Sequence, residues 1–404
     1  MNVPHEAGLI GTLTLGLGSA FVGGLIAQRL RLPVIVGYLL AGIVVGPFTP
    51  GFVADTRLAP QLAEIGVILL MFGVGVHFSI EDLLAVRRIA LPGAAVTVAV
   101  VTLIGSGLAR LWGWDPGAGV VYGLALGFGS TVVALRTIAS LATVSSRPGR
   151  VTVGWLVVED LIAVTALVLL PALHGSGGAD SAGTAGLLAT IGLTLGKAAV
   201  FVALMLVAGA RLVPRLLRTV EQTGSRELFV LGTLAVALGI AYAATQWFGV
   251  SSALGAFLAG VVINEADLSH RVAKEALPFQ EAFAVLFFVS VGMTIDPMFV
   301  LTDLPKVLAT LVVIVVGKGG TAWLMARWLG GHARLSTIVA TSVAQIGEFS
   351  FILAAAAASL GVLPPTGQSL ILAGSLGSIL VSPLLVRLAR LSIARTAPAG
   401  NIGD

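Results

Sequence analysis

Long apolar runs, separated by short polar punctuation, fill most of this chain. A helix needs about 20 apolar residues to cross a bilayer at ~1.5 Å per residue. On that basis the pattern predicts about thirteen transmembrane helices, near residues 7–28, 33–48, 62–78, 89–112, 117–139, 151–173, 184–210, 227–247, 251–265, 279–293, 304–327, 335–360 and 366–390. Some spans are short, which predicts a tightly packed bundle with broken or tilted helices.

One interruption of the pattern stands out. Span 6, VTVGWLVVEDLIAVTALVLLPAL (Val151–Leu173), carries Glu159 and Asp160 side by side. Counted from Val151, they lie ~12–14 Å into a hydrocarbon core of ~30 Å. A charge at that depth costs at least ~2.5–3.5 kcal/mol on insertion scales, so such residues line a cavity, pair with a cation or carry ions.

Composition places the rest. The chain is 57% hydrophobic and 10% charged, where soluble domains carry about 25% charged residues, so it is an integral membrane protein. Its mean hydropathy of +1.03 agrees. The 51 glycines suit close-packed or broken membrane helices. There is no cysteine, which excludes disulfides and thiolate metal sites. The net charge of +4 does not point to nucleic acid, because the basic residues are scattered between apolar spans. Alternate connections hold 17 of them: Arg29, Arg31, Arg87, Arg88, Arg147, Arg150, Arg211, Arg215, Arg218, Arg226, Arg271, Lys274, Arg327, Arg334, Arg387, Arg390 and Arg395. The opposite side holds Arg57, Arg110 and Lys306. The positive-inside rule then predicts an outside N-terminus and a cytoplasmic C-terminus. The first apolar run lacks the basic flank and small-residue site of a cleavable signal.

The chain also resembles itself at a spacing of 217–218 residues. GYLLAGIVVG (Gly37–Gly46) aligns with GAFLAGVVIN (Gly255–Asn264), and MFGVGVHFS (Met71–Ser79) with FVSVGMTID (Phe288–Asp296). An odd number of spans separates equivalents if spans 1–6 repeat as spans 8–13, so the halves (about 7–173 and 227–390) insert with opposite orientation and 184–210 is a linker helix. Inverted repeats around a midplane site are a signature of secondary transporters. GFGST in span 5 (Gly127, Gly129, Ser130 and Thr131) and AQIGEFS in span 12 (Gln345, Gly347 and Glu348) interrupt apolar helices at corresponding places. They predict two unwound helices whose opposed dipole ends, carbonyls and hydroxyls lie beside the carboxylates.

Lys318, near the midplane of span 11, requires a carboxylate or helix C-terminal carbonyls as partner. It reads either as a counter-charge to Asp160 that competes with a transported cation, or as a fixed charge that holds the broken helices together. Glu348 reads as support that neutralises positive half-helix ends. Lys197 falls in the linker span, with Glu348 or Glu159 as conceivable partners, and Arg136 within snorkelling reach of an interface. His5, His77, His174, His270 and His332 fall at span ends or loops without metal-ligand spacing, and read as solvated. Gly42–Gly46 forms a GxxxG that reports helix packing. No phosphate loop, nucleophile elbow or zinc motif appears, so an enzyme is not expected.

Together, VGYLLAGIVVGPFTPGFVAD (Val36–Asp55), GVILLMFGVGVHFSIEDL (Gly66–Leu83), GSTVVALR (Gly129–Arg136), GWLVVEDLIAV (Gly154–Val164), LGAFLAGVVINEADLSHR (Leu254–Arg271), AVLFFVSVGM (Ala284–Met293) and AQIGEFSFILA (Ala344–Ala354) cover essentially the whole chain. On these motifs the sequence resembles the Kef-type branch of the monovalent cation:proton antiporter superfamily (cation:proton antiporter-2), and most of all its YbaL-like members. The resemblance implies a homodimer whose protomers have a scaffold part and a mobile core with two crossed broken helices. It implies that Asp160 is the ion- and proton-binding aspartate, that Ser130 and Thr131 lie at the first crossover, and that Lys318 is the core lysine. Kef proteins commonly carry Gln-Asp, and electrogenic sodium antiporters Asp-Asp, where this chain has Glu159-Asp160; ion and stoichiometry stay open. Relatives usually continue into a nucleotide-binding regulatory domain; no GxGxxG appears here, so residues 1–404 are expected to be a single transmembrane antiporter domain.

The expected function is therefore exchange of a monovalent cation, K⁺ rather than Na⁺, for H⁺ by alternating access, with Asp160 as the shared site. The expected setting is a bacterial-type inner membrane, with no cofactor and with the cation, the proton, the bilayer and a second protomer as partners. The alternatives are a gated monovalent-cation channel, in which the carboxylates select the ion, and an organic-anion or drug exporter, against which the carboxylates argue.

Overall fold

The computed structural model describes residues 5–30, 32–49, 58–76, 80–143, 145–175, 183–264, 269–275 and 277–396, and among them every regular element is helical. In chain order these are α1 (His5–Arg29), α2 (Val34–Val44), α3 (Leu58–Val76), α4 (Ile80–Leu111), α5 (Pro116–Ala125), α6 (Thr131–Leu141), α7 (Arg147–Gly175) and α8 (Gly183–Leu204). A π-helical segment, Met205–Gly209, leads from α8 into α9 (Ala210–Gln222), followed by α10 (Arg226–Phe248), α11 (Ser252–Asn264), α12 (Ser269–Glu275), α13 (Leu277–Met293) and α14 (Pro297–Thr302). After α15 (Leu304–Val312) a second π-helical segment, Val313–Lys318, precedes α16 (Gly319–Trp328), α17 (Ala333–Val343), α18 (Glu348–Ser359) and α19 (Pro365–Thr396). Among the described residues eight helices are long and apolar enough to cross a membrane, and α17 and α18, bent by 40° at their break, together have the length and composition of a ninth, as a broken span or a re-entrant loop. His77, Arg31 and Arg57 lie outside the described residues.

Local chemistry sets many boundaries. Pro116, following Asp115, opens α5 with its φ already helical. Ser225 caps α10 by accepting from Leu228 N at 3.2 Å, and Gly249, at φ +64°, closes it in the left-handed region that suits glycine. His332, read as a solvated residue at a span end or loop, is exposed and also caps a helix, because its Nδ1 accepts from Leu335 N at 3.2 Å where α17 begins. Helix α4 begins nine residues before the apolar stretch read as span 4, so Arg87 and Arg88 sit on a helix rather than in a loop. Hydropathy marks the buried length of a helix, not where its backbone hydrogen bonds stop.

The chain divides into two compact units. The first comprises residues 1–30, 37–78 and 164–295. Here α3 packs against both α11 and α13, and the approach is as close as backbones allow. A Cβ on Gly75 of α3 would lie 3.0 Å from Gly260 Cα of α11, and in a second close approach one on Gly42 of α2 would lie 2.7 Å from Gly292 Cα of α13. Such contacts require glycine on both helices. Gly42 and Gly260 occupy matching positions of the two self-similar segments, as do Gly75 and Gly292. The pairing is thus crossed: the first position of each copy touches the second position of the other. At one end of this unit Arg271 on α12 pairs with Glu221 on α9 at 2.9 Å and lies 4.4 Å from the centre of the Phe229 ring on α10.

The second unit comprises residues 31–36, 79–163 and 296–404. Its core joins α4, α7, α16 and α17 through Ala90, Ala94, Trp155, Leu156, Ala322, Ala326, Leu335 and Val339. Trp155 is fully buried against Gly93 of α4, where a Cβ would collide with its ring. This unit holds every residue that carries the candidate chemistry.

Candidate functional site

Two helices of the second unit are interrupted. The chain leaves α5 after Ala125 and re-enters a helix at Thr131; it leaves α17 after Val343 and re-enters at Glu348. Each interruption frees backbone donors and acceptors that must be paired in the absence of water. Ser130 is the residue before α6 and Gly347 the residue before α18, 217 positions apart. These two meet: a Cβ on Gly347 would fall onto the backbone of Ser130, with Ser130 N only 2.6 Å away.

The crossing is tied by reciprocal hydrogen bonds. Gln345 Oε1 accepts from Ser130 N at 3.0 Å while its Nε2 donates to Ser130 O at 3.0 Å, so one side-chain amide completes both backbone groups of that residue. Gly347 N and Ser350 Oγ donate to Phe128 O at 3.1 and 3.2 Å. Helix α19 supplies the corresponding service to the other break. Ser378 Oγ accepts from Ile346 N at 3.4 Å and Ser375 Oγ donates to Ile346 O at 3.0 Å.

The carboxylate pair divides at this crossing. Glu159 is fully buried; its Oε2 accepts from Gly129 N at 2.7 Å and from Lys318 Nζ at 3.0 Å. Lys318, also fully buried and ending the second π-helical segment, donates in addition to Gln345 O at 3.3 Å. The ammonium therefore pairs with Glu159, not with Asp160, and its second contact is a carbonyl freed by the break in the α17–α18 path. Asp160 is 9% exposed, and its Oδ1 has no hydrogen-bond partner among the described residues. Successive residues on a helix point about 100° apart, so the pair cannot share one direction.

The other residues expected at the site have varied placements. Gly129 lies against Glu159 and Lys318, where an added Cβ would be 3.1 Å from Glu159 Oε2 and 3.2 Å from Lys318 Nζ. Gly127 packs against Val98 of α4. Thr131 is the first residue of α6 and half-buried. Glu348 opens α18, is 8% exposed and has its carboxyl beside the Ser130 hydroxyl. Lys197 is exposed on α8, and Arg136 is exposed and donates to Leu32 O at 3.3 Å. Ser375 and Ser378 escape sequence reading, although Ser375, Ser378 and Ser382 repeat at helical spacing in an apolar span and stay buried. The self-similarity held the signal: Ser378 follows Asp160 by 218 positions.

The chain is similar to known proteins over most of its length. Residues 17–388 match the family described as sodium/hydrogen exchanger, transmembrane. YbaL of Escherichia coli strain K12, whose name describes a cation/proton antiporter, is 50% identical over 97% of this chain and 70% of its own length. K(+) efflux antiporter 4 of Arabidopsis thaliana is 31% identical over 94% of this chain and 64% of its own length. The fold matches the sodium proton antiporter MjNhaP1 of Methanocaldococcus jannaschii with a TM-score of 0.69 at 18% identity, covering 94% of this chain and 97% of that one. By the extent of these matches, the chain belongs to the transmembrane sodium/hydrogen exchanger family.

Proposed function

We propose that this protein exchanges a monovalent cation for protons across the membrane by alternating access, with Asp160 as the site that cation and proton share. One observation carries the reading: of two adjacent buried carboxylates, each with one unpartnered oxygen, Glu159 is already neutralised through its Oε2 by Lys318 and held by Gly129 N, while Asp160 has no ion pair among the described residues. A buried acceptor of that kind, in the unit where two broken helices cross, suits a dehydrated cation or a proton in turn. Glu159 and Lys318 form a neutral, fixed element behind it; Ser130 and Thr131 flank it, and Gly127, Gly129, Gln345 and Gly347 let the interrupted backbones meet. Potassium is favoured over sodium because relatives carry the name K(+) efflux antiporter.

The reading includes the finer architecture. Thirteen spans form one transmembrane domain with inverted repeats at about 7–173 and 227–390 around a linker helix at 184–210. Crossed glycine pairs in one unit and breaks 217 positions apart in the other support that twofold relation. The 17-to-3 asymmetry of basic residues supports an outside N-terminus and a cytoplasmic C-terminus in a bacterial-type inner membrane. The working unit is a homodimer in the bilayer.

Proteoliposomes loaded with a pH-sensitive dye and challenged with K⁺, Na⁺ or Li⁺ test the proposal. Cation-driven proton flux is expected to saturate, and Asp160→Asn is expected to abolish it without changing the protein's yield or melting behaviour. Full residual exchange in that variant refutes the assignment.

A further inference from the structure

The balance of charge at the crossing leaves one carboxylate without a role. Lys318 cancels Glu159 at 3.0 Å. Asp160 and Glu348 remain, both buried to more than nine-tenths, and neither has a salt-bridge partner among the described residues. Both belong to the same crossing: Gly129 N donates at 2.7 Å to Glu159, the neighbour of Asp160, and the next residue, Ser130, meets Gly347, the neighbour of Glu348. The Ser130 hydroxyl lies beside Glu348, and Asp160 Oδ1 is unpartnered.

Two uncompensated carboxylates in a buried space are costly unless positive charge is shared between them. Two sources are built in. The N-termini of α6 and α18 meet where Gly347 touches Ser130, and each is equivalent to roughly +0.5 of a charge. Together they offset about one of the two negative charges. One singly charged cation offsets the other.

We propose that Glu348 is a second carboxylate ligand of the transported cation, which sits between it and Asp160 with the Ser130 hydroxyl as a neutral ligand; this rests on the exchange reading above. A carboxylate that only neutralised the helix ends would serve equally well with or without bound ion. A ligand sets affinity and ion preference.

Cation binding, separate from transport, tests this. The purified protein is melted in detergent at constant ionic strength while choline is replaced by Li⁺, Na⁺ or K⁺, and the concentration giving half of the stabilisation is read for each ion. Glu348→Gln is expected to raise that concentration about ten-fold or more, the factor that follows from losing about 1.4 kcal/mol of binding. Glu348→Asp, which keeps the charge but withdraws it by one methylene, is expected to change the order or ratio of the three ions. An unchanged half-saturating concentration in Glu348→Gln, with a lower melting temperature in choline, overturns the proposal and leaves Glu348 as support. Where Glu348→Gln does not fold, an unchanged ion ratio in Glu348→Asp overturns it instead. The Asp160 reading is separable: a parent that binds cations but exchanges no protons refutes the exchange function and leaves the ligand assignment standing.

Discussion

Replacing Lys318 with Met keeps the length of the side chain and deletes its charge. Two partners are then stranded. Glu159, fully buried, retains only the hydrogen bond from Gly129 N, and Gln345 O loses the donor 3.3 Å away. Removing one member of a buried ion pair costs about 3–5 kcal/mol, and an unsatisfied buried carbonyl about 1–3 kcal/mol. Glu159→Gln alone strands the ammonium instead, at a similar cost of about 3–5 kcal/mol. In the double variant neither charge is present, and the Gln oxygen still accepts from Gly129 N; what remains is chiefly the stranded carbonyl, about 1–3 kcal/mol. The double variant should therefore be more stable than Lys318→Met alone, with an interaction energy of at least about 2–3 kcal/mol across the cycle. Reversible unfolding of the four proteins in mixed micelles, followed by tryptophan fluorescence, measures it. Additive destabilisation would falsify the view that Lys318 and Glu159 form a closed pair, and would return the ammonium to Asp160.

Gly347→Ala pushes a methyl group into the Ser130 backbone and should cost about 1–3 kcal/mol while sharply reducing cation-driven flux. Gly107→Ala on α4, where nothing lies within 4 Å, should be neutral or stabilising by about 0.5–1 kcal/mol with flux unchanged; thermal unfolding and proteoliposome flux on both variants check the contrast. Ser378→Ala leaves Ile346 N unpaired and should cost about 1–3 kcal/mol in the same unfolding assay; no loss of stability would show that this hydroxyl does not hold the break.

Depth was legible in the residue order; direction around the helix was not. A rise of ~1.5 Å per residue locates Glu159, Asp160 and Lys318 near the midplane, but two neighbours about 100° apart face different surroundings. Nothing in the residue order says which of them meets the ammonium, so Lys318 reads there either as a counter-charge to Asp160 or as a fixed charge for the broken helices; the structure pairs it with Glu159. The breaks were legible because Gly127–Thr131 and Gln345–Glu348 put glycines and hydrogen-bonding groups where an apolar helix needs neither. Ser375 and Ser378 were silent for the opposite reason. A serine in a membrane helix can bond a carbonyl one turn back, so it raises no energetic alarm. Helices α12 and α14 were silent too, being short and set in polar connections.

The two breaks are held by unlike chemistry. Gly129 N is held by a carboxylate that is itself tied to an ammonium, whereas its counterpart Ile346 N is held by a hydroxyl of α19. In a carrier built from inverted repeats, perfect internal symmetry would make the inward- and outward-facing forms mirror each other and populate them equally at rest. Each departure from symmetry is an energy difference between those forms. On the proposed alternating-access reading, the charged clamp on one break and the neutral clamp on the other would act as a built-in bias on which side of the membrane the empty carrier waits.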